Sequence, residues 1–240
     1  MDGRRPPRDR LASSDPMNSG RAIAFVSVIL LLASCGSLHS GTTITGLSSD
    51  FEGEEPGSIP AVFTVAETNG AGHCGTWGVA SGGAGGSGGC MRLSDVHNAG
   101  ETFNLLMTKD AVIADANIEV ALRADGGTED QGGGVLWRAS GSDDYYIARW
   151  NPLEDNLRVY KVQGGVRTQF ATAKVVVEPG QWHTLGVTAT GDRMIVVFDG
   201  KMLLDHRDTT FMGPGRVGLW TKADAATSFD DFGVTPISKR

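Results

Sequence analysis

The sequence predicts an all-β chain folded as a two-sheet antiparallel sandwich of the jelly-roll type. Three observations carry that expectation. Almost every ordered-looking stretch is short and alternates apolar with polar side chains, the period of a strand with one buried face. Gly, Asp and Asn punctuate these stretches closely, as in the runs 188–192 (TATGD) and 198–202 (FDGKM). No stretch holds a helical period, and an ordered part of about 190 residues is long for an immunoglobulin-type domain but comfortable for a large jelly roll.

In chain order, residues 1–34 read as a leader. Arg21 precedes an apolar run, Ala22 to Ala33, too short to span a bilayer but suited to a signal-peptide core. It ends in Leu32-Ala33-Ser34-Cys35, which resembles the bacterial lipobox, where a cysteine is lipidated and becomes the new N-terminus. The plainer reading is an ordinary signal peptide with an incidental cysteine. Residues 35–49 are then a lipidated Cys35 and a small, polar tether, and Met17 is an alternative start. Removing residues 1–34 takes away five arginines and three aspartates and moves the formal charge from −7 to −9. An acidic chain without a basic tract is a poor partner for nucleic acid or anionic headgroups. Membrane attachment is therefore expected through the acyl chains on Cys35 alone, with the folded domain in the cell envelope.

The folded domain is expected over residues 50–234, with a short tail at 235–240. Strand-like stretches run at 60–65, 75–80, 91–94, 102–108 and 117–124. Between them lie Cys74 and Cys90, an even pair outside the cytoplasm, which reads as a disulfide closing a glycine-rich loop and stabilising by about 3 kcal/mol. Within that loop the run 83–88 is formally GxGxxG, but it lacks the strand before and helix after that a dinucleotide site needs; it reads as a surface loop.

Three consecutive strands follow, Gly133–Ala139, Asp144–Trp150 and Asn156–Val162, joined by turn-rich links. Placing Trp150 opposite Leu157 sets Ala148 against Val159 and Arg149 against Arg158. One face then carries Val135, Trp137, Tyr146, Ala148, Trp150, Leu157 and Val159, and is buried. The other carries Tyr145, Ile147, Arg149, Arg158 and Tyr160, with Arg138 joining it from the first strand. Strand-like stretches continue at 168–173, 181–189, 193–199, 201–205, 216–221 and 228–234.

In this last third, Gln181-Trp182-His183-Thr184-Leu185, the strand and turn at 194–201, and Gly215-Arg216-Val217-Gly218-Leu219-Trp220 together resemble laminin-G-like and concanavalin A-like domains. The closing Phe229-Asp230-Asp231-Phe232-Gly233-Val234 fits the same pattern. The chain is most similar to bacterial secreted domains of the 3-keto-disaccharide hydrolase type, often labelled loosely as family-sixteen glycoside hydrolases. The resemblance implies two curved antiparallel sheets with sugar held on the concave one, which is where the Arg/Tyr face is expected.

A retaining glycosidase needs two carboxylates about 5–5.5 Å apart, and family-sixteen enzymes set them along one strand as Glu-x-Asp-x-x-Glu. This chain has no such motif. A 3-keto sugar changes the requirement: the ketone acidifies its neighbouring carbon, and the glycosidic bond can leave by elimination, given a base and cations or a metal for the enolate. Arg138, Arg149 and Arg158, with Lys222 and Asp224, are candidates. His183 and His206 show no evident partner. The arginines read either as ligand-facing forks or as a solvated face paired to Asp143, Asp144, Glu154 or Asp155. Trp137, Trp150 and Trp182 read as core; Tyr145, Tyr160 and Trp220 as stacking surfaces for a sugar ring. Asp50, Glu52, Asp230 and Asp231 read either as a calcium site, Asp50 and Asp231 foremost, or as an acidic edge that discourages aggregation.

The expected function is that of a surface lipoprotein whose domain binds carbohydrate on the Arg/Tyr face without turnover. The alternatives are a hydrolase or lyase acting on 3-keto-glycosides, and an adhesion or envelope-assembly module with a protein partner.

Overall fold

The alternation sets which side chains face the core, and the strands stack as two sheets; the strands Phe103–Thr108, Gly133–Ala139 and Tyr145–Asn151 are buried on both faces. The computed structural model describes residues 42–43, 46–70, 75–94 and 100–238, so Cys35 and the leader lie outside the described residues. In chain order the strands are β1 (Thr42–Thr43), β2 (Leu47–Ser49), β3 (Phe63–Thr68), β4 (Thr76–Ser81), β5 (Gly89–Ser94), β6 (Phe103–Thr108), β7 (Ala111–Val112), β8 (Ala116–Gly126) and β9 (Gly133–Ala139). They continue as β10 (Tyr145–Asn151), β11 (Asn156–Gln163), β12 (Val166–Lys174), β13 (His183–Thr190), β14 (Arg193–Phe198), β15 (Lys201–Arg207), β16 (Arg216–Lys222) and β17 (Ala226–Pro236). One 3₁₀ turn, Pro152–Glu154, links β10 to β11.

A seven-stranded sheet runs β12-β11-β10-β9-β16-β6-β3, and an eight-stranded sheet runs β15-β14-β13-β8-β17-β5-β4 with β2 added against β17. The short pair β1–β7 is parallel. The two large sheets are antiparallel throughout, and the chain passes between them repeatedly, as in a jelly roll.

The expected hairpin register holds: Trp150 pairs with Leu157, Ala148 with Val159 and Arg149 with Arg158, while Tyr146 pairs with Trp137 and Ala148 with Val135. Those residues join the core between the sheets, with Leu122, Leu185, Phe198 and Phe229 from the eight-stranded sheet.

The far face of the seven-stranded sheet differs from expectation. It carries a second apolar cluster, in which Phe103, Leu105, Leu136, Tyr145, Ile147, Val162 and Trp220 are all 0 % exposed. The polar groups stand on and around this apolar floor.

Cys90 is a buried free thiol; Cys74, and with it the expected Cys74–Cys90 bridge, lies outside the described residues. The β4–β5 ladder pairs Cys90 with Ala80 and carries Thr76 on to Ser94.

Candidate functional site

On the far face of the seven-stranded sheet, β9, β10, β11 and β16 deliver a charged cluster. Arg149 projects from β10 beside Arg158 on β11 and Gly134 on β9. A Cβ at Gly134 would collide with the Ala148 carbonyl, so the bare backbone there lets the strands close up beside the Arg149 side chain.

At the centre is Asp130, 2 % exposed. Its carboxylate accepts hydrogen bonds from Arg149 and from Asn151 Nδ2 at 2.8 Å, and its second oxygen lies 3.4 Å from Lys222 Nζ. A buried carboxylate is tolerated when cations and donors surround it. Its position is set by Asp224. The Asp224 carboxylate accepts the backbone N–H of Thr128 at 2.7 Å, of Glu129 at 3.0 Å and of Asp130 at 2.8 Å, plus the Thr128 hydroxyl at 2.9 Å. Partial burial would raise the Asp224 pKa, but these donors outweigh it and bring it down to about 2. Asp224 is thus the clamp that shapes the loop between β8 and β9.

Around Asp130 stand the other charged groups. Arg149 Nη1 lies 3.4 Å from the Tyr160 hydroxyl and 3.6 Å from Glu154 Oε2. That oxygen also accepts from Arg158 at 2.6 Å and Asn156 at 2.9 Å. Burial pushes the Glu154 pKa up, but Asn156, Arg149, Arg158 and Lys222 together hold it below the usual carboxylate range. Arg167, from β12, lays its guanidinium over Tyr160 at 4.7 Å, Phe103 at 5.0 Å and Trp220 at 5.9 Å. Glu101 Oε1 meets Arg167 at 3.5 Å and Lys222 at 3.9 Å. Four cations therefore face three carboxylates, on a chain whose formal charge is −7.

Of the residues expected from sequence, Arg149, Arg158, Tyr160 and Lys222 come together. Tyr145 and Trp220 reach the same place as buried floor: the Tyr145 hydroxyl contacts Thr68 Oγ1 at 2.5 Å and accepts from Trp220 Nε1 at 3.2 Å. With Tyr160 4 % exposed and under Arg167, none of the three rings offers an open face for stacking. Burial accordingly pushes the Tyr145 phenol well up.

Arg138 leaves the group. It adopts a left-handed φ of 52° where the β16–β9 ladder slips between Arg216 and Gly218. The side chain turns to the carbonyls of Ala114 and Phe211 and forms a buried pair with Asp115 at 3.0 Å. Trp182 is half-buried against Arg123 instead of in the core. His183, expected to lack a partner, has Asp199 at 2.8 Å, and His206 stacks on Phe170 at 4.5 Å.

Asp50 and Asp231 line one depression with Ser48, Ser49, Phe232 and Gly233, whereas Asp230 turns to the Ala84 N–H at 2.8 Å. Among the described residues, no three His, Cys, Asp or Glu side chains converge as a metal would require. The sequence reading missed Asp130, Asn151, Glu101 and Arg167. Asp130 sits just before the glycines that open the triplet, a signal in plain view; Arg167 lay one residue outside the strand expected at 168–173.

The sequence model of the 3-keto-alpha-glucoside-1,2-lyase-like domain matches residues 67–235. No curated protein matches the chain. Several solved structures share the fold. The carbohydrate binding module CBM66 from Bacillus subtilis is 20% identical, with a TM-score of 0.57 over 70% of this chain and 92% of its own. The apo Crh5 transglycosylase is 16% identical, with a TM-score of 0.58 over 83% and 88%. A Bacillus subtilis protein of unknown function with a galectin-like fold is 12% identical, with a TM-score of 0.56 over 81% and 96%. Likeness at these identities speaks to the sandwich and not to what it binds.

Proposed function

The chain belongs to the 3-keto-alpha-glucoside-1,2-lyase-like domain family, and from that premise we propose that it takes a 3-keto-glucoside on the far face of the seven-stranded sheet and cleaves it by elimination. The observation that carries this reading is the excess of cation around a water-accessible carboxylate: Arg149, Arg158, Arg167 and Lys222 against Asp130, Glu154 and Glu101. In this chemistry a base removes the C2 proton and the electron pair moves onto the C3 oxygen as an enolate. The enolate then collapses, forming C1=C2 and breaking the bond from C1 to the glycosidic oxygen, which leaves and takes up a proton. Fixed guanidinium and ammonium groups stabilise the enolate oxygen. Asp130 is sealed and Glu154 is tied to Arg158 and Asn156. Glu101, 62 % exposed at its side chain and held by longer contacts, is the group assigned to take the proton.

Incubating the protein with 3-keto-maltose tests this. Glucose should be released together with an ultraviolet-absorbing enone, and release should fall about 100-fold or more in Glu101→Gln. Glucose release without the enone would exclude elimination.

The second reading, sugar binding without turnover, is favoured by one observation: Glu154, between Arg149 and Arg158, is held below the usual carboxylate range by Asn156 and those cations and is a weak base. Saturable binding of the keto sugar with no product would select it. The acylated Cys35 and an envelope location remain part of the proposal; a Cys35→Ala protein that still fractionates with membranes would contradict them.

A further inference from the structure

The outer face of the eight-stranded sheet carries a second built arrangement, unrelated to the site above. Trp77, Val79, Met91, Leu93, Leu122, Ala124 and Phe229 point into the core. The residues alternating with them therefore face out. Register sets Gly78 beside Arg92, Arg92 beside Ser228 and Ser228 beside Arg123. Trp182 ends the row, its ring 4.8 Å from the Arg123 guanidinium. The row crosses from β4 to the start of β13, four interstrand steps of about 4.8 Å each.

This row is walled on three sides. At the β4 edge, Gly57 lies so close that a Cβ on Gly78 would come 3.0 Å from its Cα. Along one side the glycine-rich loop 82–88 folds over the face, its Ala84 N–H bonded to Asp230 at 2.8 Å. A Cβ on Gly83 would lie 2.6 Å from the same carboxylate, so glycine is what lets the loop lie down there. Trp182, half-buried, closes the far end.

The floor is an ion-pair network. Arg92 Nε donates to Ser228 Oγ at 2.9 Å, and Ser228 in turn donates to Asp125 at 2.5 Å. Arg123 Nε donates to Asp125 at 2.6 Å, and Arg92 stands 3.5 Å from the same carboxylate. Two guanidinium groups thus share Asp125. Asp230, the other acid nearby, is 4 % exposed beneath the loop. The two arginines stay accessible, at 32% and 22% of their side chains. Each uses its Nε in the network, and Arg92 Nη2 also donates to the Ser81 carbonyl at 3.3 Å and Arg123 Nη2 to the Ser228 hydroxyl at 3.5 Å, which leaves one terminal nitrogen of each guanidinium for a ligand carboxylate. Arg123 covers one face of the half-buried Trp182 ring, and a pyranose ring would stack on the other.

The geometry points to a second ligand site here, for a saccharide bearing a carboxylate: the acid group between Arg92 and Arg123, a sugar ring against Trp182. A neutral saccharide offers these guanidinium nitrogens no charged partner and binds more weakly. The site anchors an acidic glycan on the side of the sandwich away from the 3-keto-sugar site and does not depend on that site's chemistry.

Calorimetric titration of the full chain with trigalacturonate, and with the uncharged α-1,4-galactotriose, tests it at low ionic strength. Trigalacturonate should bind at least ~10-fold more tightly than the neutral trimer, and more weakly as salt rises. Arg123→Gln and Trp182→Ala, each checked for native circular dichroism, should each weaken it ~10-fold or more, while Arg158→Ala on the other sheet leaves it unchanged. No binding by the wild type, equal binding of the neutral trimer, or native-like Arg123→Gln and Trp182→Ala proteins that bind as well as wild type would each overturn the site. Binding lost in Arg158→Ala alone would move the acidic glycan to the other face and overturn it equally.

Discussion

Replacing Asp224 by Asn isolates the part of the site that depends on one side chain. The Asp224 carboxylate gathers three backbone N–H groups and the Thr128 hydroxyl. An amide keeps one accepting oxygen and turns an NH₂ toward donors that need an acceptor. The wild-type pKa of about 2, against about 3.9 for an unperturbed aspartate, corresponds to roughly 2.5 kcal/mol of preference for the charged form, and solvent screening reduces this to about 1–2 kcal/mol. In a domain of this size that lowers Tm by roughly 2–8 °C. Because the folded pKa is depressed, this stabilisation is complete above the unfolded pKa near 4 and disappears as pH falls through about 2. Urea titrations of wild type and Asp224→Asn at pH 6, 4, 3 and 2 should therefore converge as the medium becomes acidic. Amide hydrogen exchange at Thr128, Glu129 and Asp130 should accelerate in the variant at pH 6. A variant as stable as wild type at pH 6, or a gap that persists at pH 2, would refute the clamp.

Arg138→Met leaves Asp115 buried without its cation and should cost about 3–5 kcal/mol by denaturant unfolding; a loss under 1 kcal/mol would contradict the burial described for the pair. Gly134→Ala, whose new Cβ meets the Ala148 carbonyl, should destabilise by about 1–3 kcal/mol and weaken keto-sugar binding, since the strand beside Arg149 must shift. A Gly134→Ala protein with wild-type Tm would show that the strands have room. Cys90 is 0 % exposed and burial pushes its thiol up from 9.0, so maleimide labelling mapped to that residue should appear only after denaturation. Recovery of Cys90 in a disulfide-linked peptide would oppose the free thiol.

The central hairpin was legible because its two faces differ: Val159, Leu157 and Trp150 must all point inward, and slipping one residue would expose them together. The same alternation misplaced Arg138, because a left-handed residue breaks the count, and nothing in Leu136-Trp137-Arg138-Ala139 announces it. The composition of the far face misled in another way. Tyr145, Ile147 and Trp220 look like surface residues beside arginines, yet β6 brings Phe103 and Leu105 against them from about forty residues upstream of Tyr145, and the cluster closes over. Asp130 was visible beside the glycines, but its role was not, for a related reason. It sits on a connection between sheets, and what holds it, Asp224, lies 94 residues further along. Pairings across that distance exist only once both sheets have formed.

A structure of the protein soaked with a 3-keto-glucoside, or with a 2-deoxy-2,2-difluoro analogue that has no C2 proton to lose, tests the central claim most directly. The account predicts the sugar against the Arg167, Lys222 and Glu101 side chains, with its C3 oxygen within hydrogen-bonding distance of Lys222 or an arginine of the cluster and Glu101 on the C2 side. Density for the sugar in the trough beside Trp182, or nowhere on the far face of the seven-stranded sheet at saturating concentration, would contradict it.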